Sequence, residues 1–466
     1  MSVNSPISAT HFGVINPATG QLLDVCPNTT QAQFDTIIER ANQAFIAWSK
    51  TSDAERAKAL NVMADLIDEH ATDIATLLTQ EQGKPLKGLG SEFEVQIVRD
   101  WLRATAAMSL EDKVLEDSAE RKAMLVRKPV GVVASITPWN WPLMIAIWHI
   151  APAIRVGCSV VIKPANNTPL STRLMVDILN KALPEGVLNV VTGDIGHSLS
   201  AHPDIHKVIF TGSTPVGRTI MRNASASLKP LTLELGGNDA AIVLPDIDIV
   251  QRAEALFWGA FINNGQTCLA IKRLYVHADI YDELCAALVQ IATSMPMGNG
   301  LDEANIFGPI QNAAQYEKVY DLVVDAMNAG GRILCGGLPK GTGENEPVGY
   351  FFPLTIIADA AEGMRVVDEE QFGPVLPIIK YTDIGAAIAS ANNCELGLGG
   401  SVWSDDIELA ATLATQLECG SVWVNNHGQV LPHIPFGGVK QSGLGVEFGE
   451  EGLLAYTRSQ AVVLPK

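Results

Sequence analysis

The chain has 466 residues, 47% of them hydrophobic, and a formal net charge of −19. That length exceeds what one hydrophobic core sustains, so two or three domains are expected, and the apolar share excludes a disordered chain. The acidic balance offers no basic footprint for phosphates, which argues against a nucleic-acid partner.

The N-terminal run Met1–Pro6 carries neither the basic nor the apolar segment of a signal peptide, and this points to a reducing cytoplasm. The seven cysteines, an odd number spread from Cys26 to Cys419, do not read as a disulfide framework. No Cys-x-x-Cys or His-Glu-x-x-His spacing occurs, so no metal site is expected. Phe34, Ile37, Ile38, Ala41, Ala44, Phe45 and Trp48 predict a helix over 31–49, and a second helical pattern runs through Leu60, Met63, Ile67, Ile74, Leu77 and Leu78. Gly131–Ile154 holds no formal charge apart from a protonated His149, but Pro138, Asn140, Pro142 and Pro152 interrupt it. A membrane-spanning helix is thereby rejected in favour of a buried strand, a tight loop and a short helix.

From about residue 130 short Val/Ile/Leu-rich runs alternate with longer segments. Val130–Ile136, Cys158–Ile162, Val187–Val191, Val208–Phe210 and Leu231–Leu235 read as strands covered on both faces, hence a doubly wound parallel sheet. A second alternation follows, with strands expected at Ala240–Leu244, Arg273–Val276, Val375–Ile379, Val402–Trp403 and Ser421–Val424. Helical patterns near 250–263, 279–294, 314–329 and 405–416 separate them, and 338–349 reads as a surface loop. The expected fold is two open α/β domains with a site in the crevice between them.

Cys268, in Asn264-Gly265-Gln266-Thr267-Cys268, is a candidate nucleophile, although a cysteine is inert unless something makes it a thiolate. Asn140, directly after a buried strand, offers an amide donor for an oxyanion, or else merely stabilises a Pro-bounded turn. Glu234 ends an apolar run and precedes Gly236-Gly237. Burial would raise its pKa toward that of a general base, unless a salt bridge holds it as a structural residue. The strand Val208–Phe210 runs into Thr211-Gly212-Ser213-Thr214-Pro215-Val216-Gly217 and a helix, a combination that suits an anion. Gly443-Leu444-Gly445 is set aside because no strand feeds it. Lys163 stands where it can reach a ribose or phosphate, or snorkel at a strand end. Glu370 suits ribose hydroxyls, and Phe372 or Phe436 suits a flat ring.

These motifs occur in one fixed order, from Asn16-Pro17-Ala18-Thr19-Gly20 to Tyr456-Thr457, and together they resemble the hydrolytic NAD(P)-dependent branch of the aldehyde dehydrogenase superfamily. The resemblance implies attack of Cys268 on an aldehyde, an oxyanion held by Asn140 and the Cys268 backbone N–H, hydride transfer, and a thioester hydrolysed by water that Glu234 activates. In the CoA-acylating branch that Glu is typically absent, so Glu234 argues for water as acceptor. The resemblance places Ile136, Trp139, Lys163, Asn166, Gly212, Ser213, Gly217, Glu234, Leu235, Gly236, Glu370, Phe372, Gln315 and Lys318 at the cofactor. It implies a Rossmann-like cofactor domain (1–106 and 130–236), a catalytic domain (237–440), and a small β oligomerisation arm with the C-terminal segment (107–129 and 441–466). A homodimer or homotetramer is expected.

Many NAD-preferring relatives carry Glu where this chain has Asn166, and a neutral residue there admits NADP as well as NAD. Positions resembling the aldehyde tunnel are Trp141, Met144, Ile145, Trp148, Ile262, Thr267, Leu269, Val430 and Phe436, which favour an aromatic or medium aliphatic aldehyde. The Arg common near the position of Trp148 in succinate-semialdehyde members is missing, yet His427 and His433 leave a polar substrate end open. A Trp-rich tunnel also suits a quaternary ammonium such as betaine aldehyde. Readings of a different class are a catalytically silent structural relative and an esterase without redox chemistry.

Overall fold

The computed structural model of the chain describes residues 6–8, 10–339 and 348–466. Most of the loop expected over 338–349 lies outside them.

The first sheet has the order Gly443–Leu444, Leu231–Glu234, Lys207–Thr211, Val132–Ile136, Ser159–Lys163, Leu188–Val190. Its other five strands pair in parallel, and only Gly443–Leu444 runs antiparallel, against Leu231–Glu234. Val132–Ile136 and Lys207–Thr211 are buried along their whole length, because apolar clusters cover both faces of the sheet. That is why these strands read as continuous rather than alternating apolar runs. Gly443-Leu444-Gly445 thus proves to be part of the sheet edge, too short to have shown in the sequence pattern.

The second sheet has the order Arg332–Cys335, Thr355–Ala360, Val375–Tyr381, Ile271–His277, Asp239–Val243, Gly399–Trp403, Ser421–Val424. The first two strands were not expected. Arg332–Cys335 is an edge strand with an exposed Arg332, and Thr355–Ala360 is broken by Asp359 in the left-handed region (φ 57°). The predicted helix at 31–49 is Gln31–Trp48, started by a capping box between Thr30 and Gln33. The second helical pattern splits at His70 into Asp53–Glu69 and Ala71–Gln82. Helix Ser91–Ala107 was not foreseen.

A third, antiparallel sheet places Arg121–Pro129 between Lys113–Asp117 and Thr457–Pro465. Between residues 441 and 456 the chain returns to the first sheet and its core, through Gly443–Leu444, Phe448 and Tyr456. Gly131–Ile154 forms the strand Val132–Ile136, a turn and the helix Pro142–Val156 with Pro152 inside it. Among the described residues no helix is long and apolar enough to cross a membrane.

Candidate active site

Two cavities meet at Cys268. One, of about 190 Å³, is lined by the carboxyl ends of the first sheet's strands and by the loop before Val375–Tyr381. The other, of about 470 Å³, runs between the helices Ser91–Ala107, Pro142–Val156 and Ile249–Phe261 and the loop after Ser421–Val424. Cys268 and Ile145 line both.

The turn before Cys268 is unusual. Asn263, Asn264 and Gly265 all have positive φ, at 52°, 57° and 67°, a run that asparagine and glycine tolerate best. Asn263 Nδ2 donates to Asn140 O at 2.9 Å, and Gln266 Nε2 donates to Asn263 O at 3.0 Å, so side chains hold the turn. Behind it, Lys272 Nζ donates to the carbonyls of Thr267 (2.8 Å), Cys268 (2.6 Å) and Ala270 (3.2 Å). Burial pushes the Cys268 thiol up to about 12; Lys272 opposes this, and the Asp239, Glu370 and Glu234 carboxylates add to it. The sulfur is therefore a thiol at rest, not the preformed thiolate an active nucleophile needs.

Asn140 is buried and lines the first cavity with Cys268. Its Nδ2 donates to Gln266 O at 2.9 Å, which leaves the amide's second N–H for another acceptor. Its own carbonyl accepts from Lys84 Nζ at 3.0 Å. Lys84 pairs with Glu94 at 2.5 Å, and Glu94 accepts from Leu143 N (2.9 Å) and Met144 N (3.0 Å) at the start of helix Pro142–Val156. A carboxylate there suits the positive end of a helix.

Glu234 ends its strand fully enclosed, and neither carboxylate oxygen accepts a hydrogen bond of good geometry. Burial raises its pKa well above the usual carboxylate range, the nearby Glu447 carboxylate reinforces this, and only the Gly438 backbone N–H opposes it. Among the described residues Glu234 has no salt bridge. It lines neither cavity.

Of the residues the resemblance placed at the cofactor, Trp139, Gly212, Ser213, Leu235, Gly236, Gln315, Lys318, Glu370 and Phe372 all line the first cavity. The donor set fits a nucleotide. A Cβ on Gly212 would meet the Phe210 ring at 2.5 Å, so bare backbone faces the N-terminus of helix Thr214–Ala224. The Ser213 side chain, at the N-cap of that helix, makes no capping bond, which suits an anion. Glu370 accepts from Gly237 N at 3.1 Å and lies against Gly236, where a Cβ would meet Oε2 at 2.7 Å. Trp139 and Phe372 meet edge to face at 5.4 Å.

Besides Glu234, four of these residues stand elsewhere. Ile136 is buried in the core beside Phe210 and Leu235. Gly217 is where it is because helix Thr214–Ala224 packs closely: a Cβ there would meet Leu235 Cδ2 at 2.7 Å. Lys163 and Asn166 lie beyond the cavity wall, hydrogen-bonded to each other. Gln315 is a wall residue whose amide is already engaged, donating to Gln371 O (2.8 Å) and Phe372 O (3.0 Å).

In the second cavity Trp141, Met144, Ile145, Trp148, Ile262, Thr267, Leu269 and Val430 all appear, with His427 at its wall. Phe436 does not line it. Its ring stacks on Phe448 at 5.8 Å and its backbone bridges to Glu447, so packing on the core beside the first sheet takes it away from the tunnel. Phe93, Ile97, Trp101 and Trp258 were missed as wall residues. The first three recur every fourth residue along one face of Ser91–Ala107, which was the available signal. Lys272 was also missed; a lysine inside the apolar strand Ile271–His277 was its only mark.

The aldehyde dehydrogenase family model matches residues 5–462. The phenylacetaldehyde dehydrogenase of Pseudomonas fluorescens is 38% identical, covering 97% of this chain and 92% of that protein. The NAD+ complex of aldehyde dehydrogenase from Bacillus cereus matches with a TM-score of 0.94 and 33% identity, over 100% of this chain and 96% of that one. A crystal structure of an E. coli NADP-dependent enzyme matches with a TM-score of 0.94 and 34% identity, over 98% and 95%. The chain belongs to the aldehyde dehydrogenase family of oxidoreductases.

Proposed function

We propose that the protein oxidises an uncharged aromatic or medium-length aliphatic aldehyde to its carboxylic acid, with a nicotinamide dinucleotide and water. The observation that carries the substrate class is the tunnel wall: it contains Trp101, Trp141, Trp148 and Trp258 and no Asp, Glu, Lys or Arg. An anionic semialdehyde finds no Lys or Arg there. A quaternary ammonium finds aromatic faces but no carboxylate, so betaine aldehyde ranks second.

Cys268 Sγ attacks the aldehyde carbon, and its proton passes to the ionised form of Glu234, whose raised pKa makes it a stronger base than an ordinary carboxylate. Because Glu234 lines neither cavity, its side chain has to turn toward Cys268 to accept the proton. The oxyanion of the thiohemiacetal takes the second N–H of Asn140 and the Cys268 backbone N–H. When bound, the dinucleotide supplies the hydride acceptor. Glu370, Gly212, Ser213 and Lys318 would hold it, with Trp139 and Phe372 against its ring. Glu234 gives that proton up to solvent and, ionised again, deprotonates the water that opens the Cys268 thioester; the acid leaves and the expelled Cys268 sulfur takes back a proton. The open edges and exposed apolar side chains of the third sheet support a homo-oligomer, with that sheet as the arm.

Steady-state kinetics with phenylacetaldehyde, hexanal, betaine aldehyde and succinate semialdehyde test this. The first two are expected to give the highest kcat/KM, and Cys268→Ala to lower turnover by about 10⁴-fold or more while retaining dinucleotide binding. A preference for either charged aldehyde overturns the substrate class. Hydrolysis of a nitrophenyl ester without reduction of NAD or NADP by any aldehyde overturns the dehydrogenase reading in favour of the esterase.

A further inference from the structure

We propose that Asp194 supplies the carboxylate that Asn166 lacks, and so makes the enzyme select NAD over NADP; this rests on the dinucleotide reading above. Asn166 is neutral and by itself would admit a 2′-phosphate. In the fold it is not alone. Asn166 Nδ2 donates to Asp194 Oδ1 at 3.1 Å, while Asn166 Oδ1 faces Lys163 Nζ at 3.4 Å. Lys163 Nζ also donates to Pro164 O at 3.2 Å. Ammonium, amide and carboxylate thus form one hydrogen-bonded chain, and the Asp194 charge acts on Lys163 against the effect of its burial.

The cluster stands where the far end of a dinucleotide falls. Ligands of open parallel sheets lie across the carboxyl ends of the strands, with an acid on the ribose hydroxyls of NAD. The Gly212-Ser213 turn closes Lys207–Thr211. The next strands along the sheet are Val132–Ile136, Ser159–Lys163 and Leu188–Val190. Lys163 and Asn166 follow the second of these, and Asp194 follows the third. Two to three strand steps of roughly 5 Å each put the cluster about 10–15 Å from that turn, within the span of an extended dinucleotide.

Local backbone holds Asp194 there. Gly193 has φ 83°, turning the chain sharply after Leu188–Val190, and Gly196 lies against the Lys163 stem, where a Cβ would be 3.8 Å from Cδ and Cε. Asp194 is exposed at this rim. Its carboxylate can accept from the 2′- and 3′-hydroxyls of an unphosphorylated ribose. A 2′-phosphate, with nearly two negative charges, would meet the same carboxylate and be repelled. The one cation of the cluster, Lys163, is already engaged by two oxygens.

Fluorescence titration of the enzyme with NADH and NADPH, without aldehyde, reads this directly. The unaltered protein is expected to bind NADH at least about tenfold more tightly than NADPH. Asp194→Asn is expected to shrink that ratio by roughly five- to tenfold, the scale of one exposed charge acting on a phosphate. The double variant Asp194→Asn, Asn166→Glu, which moves the carboxylate across the hydrogen bond, is expected to restore it. Tighter NADPH binding by the unaltered protein, or a ratio unmoved by Asp194→Asn, overturns the assignment. Failure to bind either dinucleotide overturns the cofactor reading itself.

Discussion

At Cys268 and Glu234 burial raises both pKa values, so in the resting site thiol and carboxyl each hold their protons more firmly than they would in water. For Glu234 the sign follows from linkage. A folded-state pKa above the unfolded value stabilises the fold below about pH 4.5, and that contribution is lost as pH rises through the raised value. Activity runs the opposite way, because only the ionised carboxylate accepts a proton. Glu234→Gln is therefore expected to lower kcat by roughly 10²–10⁴ and to raise Tm at pH 9 by about 1–2 °C, with no gain at pH 5. Scanning fluorimetry at the two pH values checks the second half; a lower Tm at pH 9 would show that the charge is stabilised by a partner. The three catalytic candidates were legible because each breaks a local rule: a polar residue closing an apolar run, or a cysteine among asparagine and glycine. Lys272 and Gln266 were not legible. Their work is done through backbone carbonyls and amides, which leave no trace in residue type.

Most parallel strands of the two large sheets were readable as elements because burial makes them continuous apolar runs, whereas Gly443–Leu444, Arg332–Cys335 and Thr355–Ala360 were not. Ser91–Ala107 was not, since its buried positions include Ser91, Glu94 and Thr105, which weaken the apolar stripe. Yet this helix does two things for the site: one face walls the tunnel, and Glu94 joins Lys84 to the start of Pro142–Val156. Lys84 also lies 3.6 Å from the centre of the Trp141 ring. Glu94→Gln would leave a buried ammonium without its counter-charge, which typically costs about 3–5 kcal/mol. A Tm several degrees lower and weaker turnover from a displaced Asn140 are expected, read by calorimetry and kinetics on the same preparation. An unchanged Tm would mean that Lys84 sheds its proton at no cost, in line with a pKa already lowered to about 8 by burial.

On the scale of the whole molecule, the crevice and its two sheets follow from the order of elements, whereas the third sheet joins residues more than 300 positions apart and no local pattern announces it. Arg121–Pro129 is paired on both sides, but among the described residues no strand pairs with the outer edge of Lys113–Asp117 or of Thr457–Pro465. Val114, Leu115, Val463 and Leu464 are 52%, 54%, 61% and 48% exposed on those strands. A narrow sheet with open edges and apolar side chains in water is what natural proteins avoid unless something covers it. A second copy of the same chain is the occupant expected. Its own net charge of −19 works against association, so the apolar contact has to outweigh the repulsion. Replacing Val463 and Leu464 together by Glu removes apolar area and adds to that repulsion. Light scattering during gel filtration is expected to show a dimer or tetramer for the unaltered protein and a monomer for the double variant. None of the residues lining the two cavities lies on this sheet, so dinucleotide binding should survive in that monomer. A monomeric unaltered protein would end the assignment of this sheet as the assembly arm.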